Sequence, residues 1–329
     1  MRVLAGDVGG TKTLLAIFEK DAGRPRALHE QRVRSDSKES LGAIVRAFLE
    51  ENPTEVAAAC FAVAAPIAGD RFHGPNLPWS IPVRTFGAEI GIQPAEVIND
   101  FRAVGYGLTV LQDDDLVVLQ EGKRRERGPI ALLGAGTGLG QAFVTWEGDQ
   151  PRAHPSEGGH TDFAPRSDRE HRLLAALRRR FGRVSWERVV SGPGLVNLYR
   201  FLVDEEKVPT ASSVVEEMKR DDPAAVISQR GLAGDDEACV AALDLFASAY
   251  GAEAGNLALT SLATGGVYVA GGIAPKILEK LKDGTFVRAF REKGRLGELL
   301  ASIPVSVIVN PKVGLLGAAV HAFELVEAR

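Results

Sequence analysis

Apolar residues recur along the chain in two rhythms, and these divide it into strands and helices. Val3-Leu4-Ala5-Gly6-Asp7-Val8 is an apolar run broken by one carboxylate, which predicts a buried strand. Gly9-Gly10 predicts a tight turn, and Leu14 to Phe18 predicts its hairpin partner. A third strand is predicted near Leu28 to Val33. Ser40 to Glu51 carries Leu41, Ile44, Val45, Phe48 and Leu49 on one stripe, the pattern of an amphipathic helix. Val56 to Ala65 reads as a strand ended by Pro66, and the Gly, Pro and Asn residues between Gly69 and Pro82 read as a long loop. Ala95-Glu96-Val97-Ile98 then leads into Asn99 and Asp100. Phe101, Val104, Leu108 and Leu111 follow near helical spacing, so Asn99 and Asp100 stand where a strand hands over to a helix.

The polar run Gln112-Asp113-Asp114-Asp115 suits a crossing between domains, and Lys123 to Arg127 reads as an exposed charged segment. Pro129 to Leu133 and Leu139 to Trp146 are predicted strands joined by the glycine loop Gly134 to Gly140. This repeats the strand, glycine turn, strand order of the first residues and predicts a duplicated architecture. The second half is mostly helical: Arg169 to Phe181, Gly194 to Val203, Pro223 to Gly231 and Glu237 to Ala263. Val267 to Gly272 is a strand ending in paired glycines. Pro275 suits the first turn of the next helix. Val305 to Val309 is a last strand, and Gly314 to Val326 a closing apolar helix.

Composition narrows the function classes. The 329 residues suffice for two domains, with 45% hydrophobic and 25% charged residues, as in ordinary globular proteins. A net charge of -4 gives no reason to expect a nucleic-acid partner. The basic run Arg178-Arg179-Arg180 opposes Leu173, Leu174, Leu177 and Phe181 on one predicted helix, which fits a solvated helix face. Cys60 and Cys239 are far apart in apolar segments and read as buried small hydrophobes, not as a disulfide framework or a zinc site. No apolar run is long enough to span a bilayer and no leader precedes the first strand, so no membrane partner and a cytoplasmic location are expected.

The polar residues within this frame suggest the chemistry. A carboxylate at a strand-to-helix handover, such as Asp100, can serve as a general base; equally, Asn99 or Asp100 can simply cap the helix. Gly6-Asp7-Val8-Gly9-Gly10-Thr11-Lys12-Thr13 is a glycine loop whose backbone N–H groups can approach phosphate oxygens. It is not a P-loop, because Thr11 stands where glycine should precede the lysine and a strand follows instead of a helix. Asp7 could hold Mg²⁺ through water; an ordinary hairpin turn explains the same residues. Gly134-Ala135-Gly136-Thr137-Gly138-Leu139-Gly140 is denser. It fails the dinucleotide pattern at Leu139 and fits a second phosphate cradle aided by the Thr137 hydroxyl. Glu157-Gly158-Gly159-His160 and Glu187 offer acceptors suited to a ligand rich in hydroxyls, although an exposed loop and a surface helix charge would account for them too.

Taken together these segments resemble a family. Gly6 to Thr11 looks like the first phosphate motif of the sugar kinase, Hsp-type chaperone and actin superfamily, Gly134 to Gly140 like its second, and Val267 to Gly272 like its adenosine motif. Within it the chain is similar to the bacterial glucokinases. Val97-Ile98-Asn99-Asp100-Phe101, Leu133 to Gly140, Ser156-Glu157-Gly158-Gly159-His160, Ser191 to Tyr199 and Gly271-Gly272-Ile273 carry the likeness in the family's order. The resemblance implies two actin-like (ribonuclease H-like) α/β domains with a cleft between them: residues 1–110 plus 312–329 as the small domain and 111–311 as the large one. It implies ATP-dependent phosphorylation of glucose at its 6-hydroxyl, with Asp100 as base and Asn99, Glu157, His160 and Glu187 holding sugar hydroxyls. ATP would lie across Asp7, Val8, Gly9, Gly10, Thr11 and Lys12 and across Gly136, Thr137 and Gly138, with adenosine near Gly271 and Gly272 and Mg²⁺ at Asp7. A homodimer is the expected assembly. Lys12 departs from the asparagine usual in enteric members, and the zinc motif of the related zinc-containing kinases is absent. Two rivals are weaker. A sugar-sensing repressor would need a DNA-binding helix pair before the first strand, and a chaperone-like ATPase would not need the sugar-binding set.

Overall fold

The structure is a computed structural model that describes all residues except 65, 66, 69, 73–76, 78 and 329. Its strands, in chain order, are β1 (Arg2–Val8), β2 (Lys12–Glu19), β3 (Arg26–Arg34), β4 (Ala59–Val63), β5 (Ile67–Ala68), β6 (Arg71–Phe72), β7 (Ile81–Pro82), β8 (Ala95–Asn99), β9 (Leu116–Gln120), β10 (Ile130–Ala135), β11 (Leu139–Glu147), β12 (Gln150–Ser156), β13 (Gly266–Ala270) and β14 (Val305–Ile308). The chain forms two compact units. The first comprises Met1–Leu116, Glu147–Pro155 and Asn310–Arg329; the second comprises Val117–Trp146 and Ser156–Val309.

In the first unit the sheet order is β3-β2-β1-β4-β8. β1 and β2 are the antiparallel hairpin, whereas β4 lies parallel to both β1 and β8. Val8 stands opposite Val63, and Val63 opposite Asn99. The first glycine loop and the Asn99-Asp100 pair therefore leave the same end of one sheet, two strand spacings or about 10 Å apart. That end, where parallel strands finish, is where α/β sheets bind ligands. Leu4, Leu15, Ile17, Phe48 and Phe61 pack the core on one face, under the helix Leu41–Glu51. Ser40 caps that helix by accepting from the Ala43 N–H at 3.1 Å.

In the second unit β11, β10, β13, β14 and β9 lie side by side in that order. Here too a glycine turn joins an antiparallel hairpin, β10 to β11, and the first strand of the hairpin has a parallel neighbour, β13, followed by β14. The duplicated architecture expected from the two glycine turns is thus present. The core centres on the helix Glu237–Ser261, apolar on nearly all sides and buried through Phe246, Tyr250 and Leu257.

Several boundaries differ from the sequence expectations. The helix beginning at Asp100 ends at Gly107 and tightens into a 3₁₀ turn at Leu108–Val110, since Gly105 and Gly107 lower its propensity. The strand expected from Val56 to Ala65 is only Ala59–Val63, and Pro66 lies outside the described residues. The expected loop from Gly69 to Pro82 contains the short strands β6 and β7, though part of it is undescribed. β12 was invisible to patterning: its sequence, Gln-Pro-Arg-Ala-His-Pro-Ser, buries only Ala153. Cys60 and Cys239 are buried and free, as expected.

Candidate active site

The first glycine loop is a hairpin turn tied down by one serine. Gly9 N–H donates to Lys12 O at 3.0 Å, and Ser35 donates its hydroxyl to Gly9 O at 2.6 Å while its N–H reaches Thr11 O at 3.0 Å. Thr11 and Lys12 remain exposed at the tip. Asp7 lies one residue before Val8, and its carboxyl is pushed up to about 6 by burial. Gly314, near the start of the helix Val313–Glu327, lies beside it: a Cβ there would be in ordinary contact with Asp7 Oδ2, at 3.6 Å.

At the neighbouring strand end, Asn99 is the N-cap of the helix Asp100–Gly107. Its Oδ1 accepts from the N–H groups of Phe101 at 3.0 Å and Arg102 at 3.2 Å. The capping duty therefore falls on Asn99. Asp100 Oδ1 also accepts from Phe101 N–H, at 2.9 Å. Asp100 occupies the first helical position, where the helix dipole favours an anion.

The second glycine loop organises the other unit. Gly136 N–H donates to Gly138 O at 2.8 Å, closing the turn between β10 and β11. Leu139 N–H donates to Glu187 Oε2 at 3.0 Å. A Cβ at Gly138 would meet the Glu187 carboxylate and make that side chain shift. Glu187 lies in the 3₁₀ turn Trp186–Arg188, 29% exposed, so it is not a free charge on a surface helix. Its other oxygen is 3.9 Å from His160 Nδ1, and His160 Nε2 is 3.9 Å from Glu157 Oε2. Glu157, His160 and Glu187 thus form one exposed polar cluster. Beneath it Gln141 donates to the buried Glu253 at 2.7 Å, which also accepts from Asn256 at 2.9 Å. Burial raises Glu253 despite those bonds.

On its other side the same loop opens into a cavity of about 850 Å³, within the size range of small-ligand pockets. Gly136, Thr137 and Gly272 line its inner end. The start of the helix Gly192–Asp204 is held there by a hydrogen bond from Gly192 N–H to Gly136 O at 2.8 Å, with Ser191 as cap. A helix N-terminus beside a glycine turn is a ready site for phosphate. Gly271 (φ +83°) makes the turn after β13; a Cβ there would stand 2.6 Å from Ala135 O. The walls carry Arg180, Asn197, Arg200, Asp222, Ser228 and Lys276, to none of which the sequence reading gave a ligand. For Arg200 the advance signal was the spacing Gly192, Val196, Arg200, one face of a helix. Arg180 corrects the reading of the basic run: it turns to Asn197 Oδ1 at 3.0 Å and lines the cavity, while Arg179 pairs outward with Glu205.

Among the described residues no group of three or more His, Cys, Asp or Glu could hold a metal by itself, and no helix is long and apolar enough to cross a membrane.

Comparison with known proteins converges on one family. The Glucokinase family model matches residues 4–325. A glucokinase from Nostoc sp. is 44% identical, covering 98% of this chain and 99% of its own. One from Shigella sonnei is 41% identical, covering 97% and 96%. Among solved structures, a glucokinase from an Antarctic psychrotroph superposes with a TM-score of 0.87 at 32% identity, over 98% of this chain and 99% of that one. The Balamuthia mandrillaris glucokinase in complex with glucose shares the fold, with a TM-score of 0.80 at 22% identity and coverage of 98% and 93%. Two α/β units each built on a glycine hairpin, a nucleotide-sized cavity at the second hairpin and near full-length identity above 40% place this chain in the glucokinase family.

Proposed function

We propose that this chain phosphorylates glucose at its 6-hydroxyl with ATP as donor, Asp100 acting as the base. ATP-dependent glucose phosphorylation is the activity of the family to which it belongs. The observation that carries the assignment of residues is the double use of one turn. Gly136 and Thr137 line the nucleotide-sized cavity, and Leu139, in the same loop, holds Glu187 next to His160. A phosphate donor and a polyhydroxyl acceptor are thereby served by adjacent residues, as phosphoryl transfer requires.

In this reading the two oxygens of Glu157 and Glu187 accept from sugar hydroxyls, with His160 between them. Asn99 fixes the helix start that aims Asp100, and Asp100 takes the proton from the attacking hydroxyl. Gly9, Gly10, Thr11 and Lys12 offer backbone and side-chain donors to phosphate, as do Gly136, Thr137 and Gly138. Gly271 and Gly272 bound the adenosine end. We take the two compact units as the two domains of the actin-like fold. A homodimer in the cytoplasm is our expectation for its assembly and place; light scattering on the purified protein tests the first.

Mg²⁺ fits the donor set. Mg²⁺ characteristically takes one or two carboxylates together with substrate phosphates, and Asp7 is a partly buried carboxyl beside a phosphate loop. Bound there, Mg²⁺ would neutralise charge on the phosphates. Because folding raises the Asp7 pKa to about 6, the folded state favours the protonated form. The associated stability is present below the ordinary carboxyl range and is lost as pH rises through about 6. Asp7→Asn should therefore raise thermal stability at pH 7 without Mg²⁺, by about 1–3 kcal/mol. It should also raise the Mg²⁺ concentration needed for half-maximal activity. Calorimetry and a Mg²⁺ titration check both; a variant no more stable and equally responsive to Mg²⁺ would remove Asp7 from the metal site.

The sugar cluster has its own test. Glu187→Gln and Glu157→Gln should each raise KM for glucose roughly tenfold or more, since a neutral amide accepts less strongly than a carboxylate. Gly138→Ala should do the same by displacing Glu187. Glucose should raise the melting temperature by mass action, and less so in these variants. Unchanged KM values for glucose would leave the cluster without a role. A panel of mannose, fructose and polyphosphate in the same assay defines the range of acceptor and donor.

A further inference from the structure

The helix Val313–Glu327 carries a histidine that no step above uses. His321 is 6% exposed, and both ring nitrogens end on carboxylates: Nε2 lies 2.9 Å from Glu96 Oε2 and Nδ1 3.1 Å from Glu324 Oε2. A carboxylate only accepts, so both nitrogens donate and the ring is an imidazolium. Its face stacks on Tyr106, with centroids 4.5 Å apart and planes at 17°. Arg102 in turn donates to the Tyr106 hydroxyl at 3.4 Å.

These contacts lie on the strand and the helix that meet at Asn99 and Asp100. Glu96 stands three residues before Asn99 on β8, and Arg102 and Tyr106 lie on the helix that Asp100 opens. The two helices also meet backbone to backbone. A Cβ at Gly317 would run into Ala103 O, and one at Gly107 into Val313 O. β8, the helix Asp100–Gly107 and the helix Val313–Glu327 therefore form one packed block. His321 is its polar joint, bridging Glu96 across 225 positions of sequence.

We propose that His321 is a positioning residue for the base: charged and clamped between Glu96 and Glu324, it sets the helix Asp100–Gly107 against β8 and so aims the Asp100 carboxylate. This rests on Asp100 being the base. Loss of the ring proton leaves one N–H for two carboxylates, and the joint loosens. Burial pushes His321 down, but the hydrogen bonds to Glu324 and Glu96 more than offset it, so the group lies above its ordinary value. Its stabilisation is complete below the ordinary histidine range and is lost as pH rises through the raised value. Glu96 is held low, first by the same hydrogen bond. Among the described residues, four other charged or titratable groups bear on this site. Arg102 opposes the charge of His321; Tyr106 stacks on it; Cys60 of β4, raised first by burial, lies near Glu96; Arg152 acts on Tyr106 and Glu324.

The test is the pH profile of kcat and of both KM values for the unaltered protein, His321→Gln, Glu96→Gln and Asp100→Asn. The unaltered protein should lose kcat on the alkaline side with steady KM values. His321→Gln should have kcat roughly tenfold lower at neutral pH, a small misplacement of the base being enough, and no such alkaline loss. Glu96→Gln should move the alkaline loss to lower pH, because removing a carboxylate makes the imidazolium easier to deprotonate. A His321→Gln protein with the original profile overturns the proposal, whether or not its melting temperature falls, since the residue would then be structural only. Should that variant not fold, an unmoved alkaline loss in Glu96→Gln overturns it equally. Normal turnover in Asp100→Asn would instead overturn the base itself. An inactive Asp100→Asn beside an unaltered profile in His321→Gln overturns only the positioning.

Discussion

Asp100→Asn should give a folded protein whose kcat is lower by roughly a hundredfold or more, with KM for glucose little changed. The amide keeps the size of the carboxylate and can still accept the Phe101 N–H that Asp100 Oδ1 accepts at 2.9 Å. The helix start is in any case held by Asn99, which accepts from both Phe101 and Arg102. The substitution thus removes the proton-accepting oxygen while the cap at Asn99 holds the helix start. A carboxylate near the reacting hydroxyl contributes as a base only if the proton moves in the transition state, so the loss belongs in kcat. Steady-state kinetics with a melting curve for each protein checks this. If turnover stays near normal, Asp100 is a helix residue with no part in the chemistry.

Gly136→Val should raise KM for ATP roughly tenfold or more, with a much smaller effect on KM for glucose. Gly136 has an ordinary backbone conformation, and a Cβ built on it meets nothing within 4 Å, so the fold has room for the side chain. That room is the cavity, whose inner end Gly136 forms with Thr137 and Gly272. Valine would occupy the space where phosphate oxygens approach the turn and the N-terminus of the helix Gly192–Asp204. The contrast with Gly138 makes the experiment sharp. A Cβ two residues later strikes the Glu187 carboxylate instead, so Gly138→Ala should burden glucose more than ATP. Equal effects of both substitutions on both substrates would mean that the loop does not divide donor from acceptor.

Local physics decided what the sequence alone determined. The strands around each glycine turn, the helix read from Ser40 to Glu51 and the handover at Asn99-Asp100 all follow from the spacing of apolar residues and the chemistry of short polar ones. The family likeness belongs there too, because its motifs are contiguous runs such as Gly134 to Gly140. β12 escaped, since it buries only Ala153 and sets up no period; the helix Thr285–Arg291 buries Phe286, Ala289 and Phe290 at helical spacing but is only seven residues long. The tertiary structure alone decided which distant residues meet. Glu187 could be read as a ligand acceptor or as a surface helix charge until the fold brought it to the Leu139 N–H, 48 positions away. Arg180 looked like part of a solvated stripe until the helix Gly192–Asp204 drew it to Asn197 and the cavity wall. His321 and Glu96 are an unremarkable pair in the sequence, and a half-buried ion pair only in the fold. Hydrogen bonds and charges act over a few ångströms of space, whereas periodicity reports only neighbours within a turn or a strand. The elements were therefore written in the chain, and the site was made by their packing.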